Sequence, residues 1–242
     1  MKGSEPFLTL VEEYNSKGHL LYLEDYPGAW VRGQIREQAL SKIPAELSRY
    51  ALWSGEPLPP YPYPGYRIRQ SQESLLAIED ADTDILFDSE RRPLSEEEYL
   101  RLKGLALKSA RDFLTLYDSI PDTDLPLKEA RETFYGQLPA TARAMYQHVK
   151  GVNSYYFDRI GLPLRHNETL LSGRQEGFER LEKLELYLEN AVFYGSDSEA
   201  WTLRKVLRRL IWHDAIHAKA MYRSSIRAFH QDEIANPFCF LL

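Results

Sequence analysis

Ser95-Glu96-Glu97-Glu98-Tyr99-Leu100-Arg101-Leu102-Lys103-Gly104-Leu105-Ala106-Leu107 is the stretch at which the chain changes its hydrophobic period. Ser95 offers an N-cap oxygen, and the three glutamates set negative charge against the positive end of a helix. Leu100, Leu102, Leu105, Leu107, Phe113, Leu114 and Tyr117 keep apolar positions coming until Pro121, which predicts a first long helix. A second is expected from Pro139, with Ala142, Met145, Tyr146, Val149, Val152, Tyr156 and Ile160 on its apolar face and Gly161 at its end. A third is expected over residues 173–194, closed by Gly195, and a fourth over residues 198–230. Amphipathic helices joined by polar connections predict a four-helix bundle across residues 91–242.

Upstream, residues 1–90 read differently. Phe7-Leu8-Thr9-Leu10-Val11 is strand-like, Asn15-Ser16-Lys17-Gly18 supplies turn chemistry, and His19-Leu20-Leu21-Tyr22-Leu23 completes a hairpin. Tyr26-Pro27-Gly28 punctuates the chain before a third short strand at Ala29-Trp30-Val31. Ala39, Leu40, Ile43, Leu47 and Tyr50 recur at helical spacing up to Gly55, while Pro44 demands a kink or a later helix start. Pro57-Leu58-Pro59-Pro60-Tyr61-Pro62-Tyr63-Pro64-Gly65 predicts an extended polyproline loop. Leu75-Leu76-Ala77-Ile78-Glu79 reads as a last strand. The expected fold class is therefore α+β: a small β-β-β-α-β unit followed by a helical bundle. The segment Asp25-Tyr26-Pro27-Gly28-Ala29-Trp30-Val31-Arg32-Gly33, with the helix start Arg36-Glu37-Gln38-Ala39-Leu40, resembles the D-x-P-G-x-x-x-x-G turn and E-A-L helix of the HicB-like fold. That resemblance implies a small HicB-like domain over residues 1–90.

The chain has 242 residues, 43% of them hydrophobic, which is enough to bury a full core. Its net charge of -6 provides no global basic field, so neither nucleic acid nor an anionic membrane is an expected partner. The single cysteine, Cys239, excludes an internal disulfide framework. Residues 1–6 lack the apolar run of a secretory signal, and no stretch approaches the roughly 18 apolar residues of a membrane span, so a cytoplasmic location is expected. The apolar tail Phe238-Cys239-Phe240-Leu241-Leu242 is expected to pack either on the body of the protein or on a second copy in a homodimer.

Chemistry concentrates in Trp212-His213-Asp214-Ala215-Ile216-His217. Residues four apart share a helical face, so His213 and His217 can reach one ion without backbone distortion. His148 stands among apolar neighbours on the second helix with no acidic partner close in sequence, and its nitrogens need satisfying. With Gly151 and Tyr156 it forms an H-x-x-G-x-x-x-x-Y context. Together with His213-Asp214-Ala215-Ile216-His217, this resembles the DinB superfamily, whose bundles carry one histidine on the second helix and an H-x-x-x-H pair on the last. The resemblance implies that His148, His213 and His217 are metal ligands and that Asp214 is not. A zincin protease is the weaker reading, because Asp214 is a methylene shorter than the usual glutamate base and no further zincin ligand is evident.

Three neutral imidazoles leave coordination positions open for water or substrate, as catalytic sites do. Such ligation suits zinc or nickel, admits iron, and disfavours magnesium and calcium. The family resemblance adds a low-molecular-weight thiol as a cofactor. Tyr156, eight residues after His148, and Arg209, one turn before His213, are the candidates for contacting a bound cofactor or substrate, with Tyr156 otherwise a buried aromatic. Arg204, Lys205, Arg208 and Arg209 otherwise read as a solvated basic face. The expected function is a metal-dependent thiol transferase or hydrolase acting on a small molecule. The alternatives are a non-catalytic metal-binding or stress-associated protein, and a HicB-like binding module.

Overall fold

Leu8–Asn15 forms β1, which turns through Asn15 into β2, Gly18–Leu23, in antiparallel register with Leu10 opposite Leu23. The Asn15 side chain closes that turn by accepting from the Lys17 amide at 2.8 Å, the local bond that suits asparagine to turns. The third strand, β3 (Trp30–Gly33), pairs antiparallel with β2, and β4 (Tyr66–Glu73) pairs parallel with β1, giving the order β3-β2-β1-β4. Between β3 and β4 lie α1 (Arg36–Leu40) and α2 (Ile43–Ser54). These are followed by α3 (Glu96–Asp118), α4 (Ala142–Asp158), α5 (Leu170–Leu181) and α6 (Leu203–Ala228). Two-residue ladders join β5 (Glu132–Thr133) to β6 (Gly136–Gln137), and β7 (Phe193–Tyr194) to β8 (Ala200–Trp201). This computed structural model describes residues 7–58, 65–80, 82–127, 132–133, 136–137, 139–165, 169–195 and 198–241. Residues 1–6, most of the proline-rich stretch, His166 and Leu242 lie outside them. The class is mixed α+β, a four-stranded sheet followed by a mostly helical region.

Strands β1 and β2 are buried on both sides, which is why they lack clean alternation, whereas the edge strand β4 is largely exposed. Leu8, Leu10, Leu21, Leu23 and Val31 join Ala39, Ile43, Leu47 and Tyr50 of the covering helices in the main core. Val11, Leu20 and Tyr22 face the other way, onto Ile78, Ile85, Phe87 and Trp212 of α6. Apolar contact then runs without a break from the sheet into α3–α6. Gly28 lets the turn before β3 press on α6. Its φ is +91°, and a Cβ there would stand 2.4 Å from Ile211 Cγ2 of α6.

Local chemistry sets the helix ends. Ser95 Oγ accepts from the Glu98 amide, the N-cap expected of that stretch, and Glu98 Oε2 accepts from the Ser95 amide, both at 3.1 Å, which completes a capping box. Pro44 lies in the first turn of α2, so the helix restarts there and does not kink, and Gly55 closes it at φ +75°. Phe238 and Phe240 are buried on the body of the same chain, Phe238 stacking on Trp53 at 5.7 Å. Among the described residues no helix is long and apolar enough to cross a membrane.

Three expectations need correction. The fourth strand is Tyr66–Glu73, upstream of the apolar run at Leu75, whose side chain is fully exposed. The third helix ends at Leu181, not near 194: Leu186 and Asn190 take φ of 60° and 57°, incompatible with a continuing helix, and Phe193–Tyr194 is a strand. The last helix starts at Leu203, after Trp201 has paired in β8 and Thr202 has capped the helix by accepting from the Lys205 amide at 3.2 Å.

Candidate metal centre

α6 is the central helix, buried through most of its length, and α4 lies against it. Met145, Val149, Val152 and Tyr156 seat α4 in the core, leaving His148 at the margin of the α4–α6 contact, where it is exposed. His213 is buried and His217 half-buried, one turn apart on α6. His148 Nε2 lies 3.2 Å from His213 Nε2. The ring of His217 is 4.6 Å from that of His148 and 4.3 Å from that of His213. One nitrogen from each residue falls within 4.8 Å of the other two, so the three are spaced to hold one metal ion.

The surroundings favour neutral rings. Burial takes the His213 pKa well below its ordinary value, and the neighbouring His217, His148, Arg209 and Arg174 push in the same direction. His148 is exposed as a residue, but the side of its ring turned toward His213 is shielded from water, which lowers its pKa as well. A metal needs deprotonated imidazole nitrogens, and the lowered pKa values of His148 and His213 favour that form. His213 Nδ1 is buried without a hydrogen-bond partner among the described residues. Metal-bound histidines usually donate this second nitrogen to a carboxylate or carbonyl.

Asp214 faces away from this chemistry. It is fully buried and engages both terminal nitrogens of Arg174, itself fully buried on α5. Ser109 Oγ donates to Asp214 at 2.6 Å, and Arg174 Nε donates to Asn153 Oδ1 at 3.0 Å. One network therefore ties α3, α4, α5 and α6 together beside the histidines. The sequence reading set Asp214 apart from the ligands but missed its partner. The signal was present: Arg174 sits on the apolar stripe of α5 with Leu170, Gly177 and Phe178, where a lone charge calls for an opposite charge on a facing stripe.

Tyr156 and Arg209 come together beside the site. Tyr156 is buried, its ring 6.1 Å edge-on from that of His213, and its hydroxyl accepts from Arg209 Nε at 3.2 Å. Arg209 Nη1 also donates to the Thr83 carbonyl at 2.7 Å, and its guanidinium stands 4.8 Å from the centre of a Trp212 ring. The basic face expected around it is not solvated. Lys205 is buried and bonded to Glu199, Asp84 and Ala200, and Arg208 is buried on Glu90. Arg204 pairs with Glu98 at 2.9 Å. These long cationic chains reach through the contact between α6 and the segments before α3, so burial comes with partners.

Of the other histidines, His19 bonds the buried Glu12 at 2.9 Å and His230 is exposed near the end of α6. No family model, curated protein or solved structure matches the chain.

Proposed function

We propose that residues 91–242 form a DinB-like bundle in which His148, His213 and His217 bind one divalent first-row metal, and that the metal activates a water or a small thiol for attack on a small molecule. Residues 1–90 are the HicB-like unit in this reading. The observation that carries it is the convergence of three imidazole nitrogens within 4.8 Å at a place where one ligand, His148, is exposed. Metal–nitrogen bonds of about 2.0–2.1 Å in tetrahedral geometry put ligand nitrogens roughly 3.3 Å apart. The His148–His213 separation of 3.2 Å fits that edge. Three protein ligands with an opening to solvent leave room for water or thiol, and bound zinc lowers the pKa of its water to about 7. Zinc or nickel suits the donors best, and iron is compatible.

A second reading, a metal-binding protein without turnover, draws on Asp214. The one carboxylate inside the histidine motif is spent on Arg174, so it is not a general base at the metal. Elemental analysis of the purified chain, followed by a screen of thiols with electrophilic substrates and His213→Ala as control, separates the two. Stoichiometric metal with thiol-dependent turnover lost in His213→Ala supports the enzyme. Stoichiometric metal without turnover over a broad panel supports the binder, and a metal-free chain overturns both.

A further inference from the structure

We infer that the cleft between α2 and α6 is a binding site for a small anion carrying a flat apolar group, a phosphate or carboxylate on an aromatic ring being the simplest case. The cavity holds about 460 Å³, within the range of small-molecule sites. Trp30 and Arg32 of β3, Lys42 before α2, and Lys219 and Arg223 of α6 supply its chemistry. On α6 these last two project roughly a third of a turn round the helix from His213 and His217, so the cleft occupies a different face from the histidines.

The charge balance points to an anion. Among the lining residues Glu46 is already neutralised by Arg49, which donates through Nη2 at 2.6 Å and Nε at 2.9 Å, both residues being buried. Beyond Arg32 and Asp80, which have partners of their own, Lys42, Lys219 and Arg223 bring three more cations to the cleft, and no further acid lines it among the described residues. This local excess of positive charge stands in a chain whose net charge is -6. A concave, low-dielectric wall concentrates such a field on whatever enters.

Lys219 gives the cleft its centre. It is half-buried and makes neither a hydrogen bond nor an ion pair among the described residues. Its ammonium lies 5.9 Å from the centre of the Trp30 ring. Arg223 is exposed and likewise has no ion pair among the described residues. The nearby carboxylate, Glu46, is already bonded to Arg49, which leaves this partly desolvated ammonium under-compensated, and an incoming anion removes that cost. Trp30 is itself half-buried and held edge-on against Trp212 at 6.5 Å, so it presents a fixed aromatic wall to a planar group.

The test is calorimetric titration of the full chain, freed of metal by chelation, with phenyl phosphate, benzoate, inorganic phosphate and phenol. We expect one saturable site for phenyl phosphate or benzoate, with affinity that falls as salt rises. Phenol should bind at least tenfold more weakly. Lys219→Gln and Arg223→Gln should each weaken the favoured anion at least tenfold; Arg223 is exposed, so its variant should keep the fold. Arg143→Gln, which removes a surface cation paired with Asp124, and His148→Ala should leave the affinity unchanged. A stronger response to phosphate than to carboxylate, or the reverse, assigns the anion. No saturable binding of either aromatic anion, equal binding of phenol, or full affinity in both Lys219→Gln and Arg223→Gln overturns the inference.

Discussion

Asp214 and Arg174 form an ion pair with neither side chain exposed: Nη2 reaches Oδ1 at 3.1 Å and Nη1 engages Oδ2. The residue between the two histidines of α6 is thus committed to holding four helices in register, and the histidines inherit their positions from it.

That pair predicts a sharp asymmetry between single and double substitutions. Arg174→Leu strands a buried carboxylate and should cost about 3–5 kcal/mol in urea unfolding. Arg174→Leu combined with Asp214→Leu should recover most of that loss, because no uncompensated charge remains. Equal destabilisation by the single and double variants would show that the pair contributes through shape alone.

Neighbouring carboxylates on β1 should titrate in opposite directions. Burial works to raise the Glu12 pKa, but bonds from Arg36, Ser71 and His19 overcome it and hold the group below its ordinary 4.5. Its stabilising contribution is present above that value and is lost as pH falls through the lower folded value. Burial raises Glu13 despite the bonds from Thr83 and Tyr22, so its contribution is full below pH 4.5 and is lost as pH rises through the raised value. Glu12→Gln should therefore lower stability at pH 7, by about 1–2 kcal/mol, whereas Glu13→Gln should raise it or leave it unchanged. Urea unfolding at pH 7 and pH 4 reads both signs.

Gly28→Ala should be costly although alanine is barely larger. A positive φ is strained for any side chain, and the new Cβ would meet Ile211 Cγ2 at 2.4 Å. Together these should cost roughly 2–4 kcal/mol in thermal or urea unfolding. Ile211→Ala in the same chain should relieve the contact part alone, giving a non-additive cycle. Additive costs would mean the turn does not press on α6.

The elements legible in the sequence were those whose signal is local. The N-cap at Ser95, the hairpin turn at Asn15 and the helix restart at Pro44 each depend on residues within a few positions of one another. The i, i+4 spacing of His213 and His217 is equally local, whereas His148 joined them through the expected bundle and family resemblance. What failed depended on distant partners. β4 is an edge strand with largely exposed, polar residues, and only its parallel pairing with β1 makes it a strand. Leu184, Leu186 and Leu188 continue an apolar rhythm past the end of α5, but the chain turns there to place Asn190 against the Glu90 and Arg92 carbonyls at 2.6 and 2.7 Å. Arg208 looked solvated because its acceptors, Ile85 and Glu90, lie far off on segments that fold back only in three dimensions. Lys205 did so because its bonds to Glu199 and Ala200 form only where the chain leaves β8 for α6, and its bond to Asp84 spans the fold.

The most direct test of the metal proposal is the metal content of the purified chain, set beside His148→Ala, His213→Ala and His217→Ala. The His148–His213 distance of 3.2 Å would serve a hydrogen bond as well as a metal edge, so only the ion separates them. The account predicts one equivalent of a first-row divalent metal in the parent, substoichiometric metal in every variant, and helical circular dichroism preserved at least in His148→Ala, whose side chain is exposed. A folded parent chain without metal after incubation with zinc or nickel, or full occupancy in His148→Ala, would contradict it.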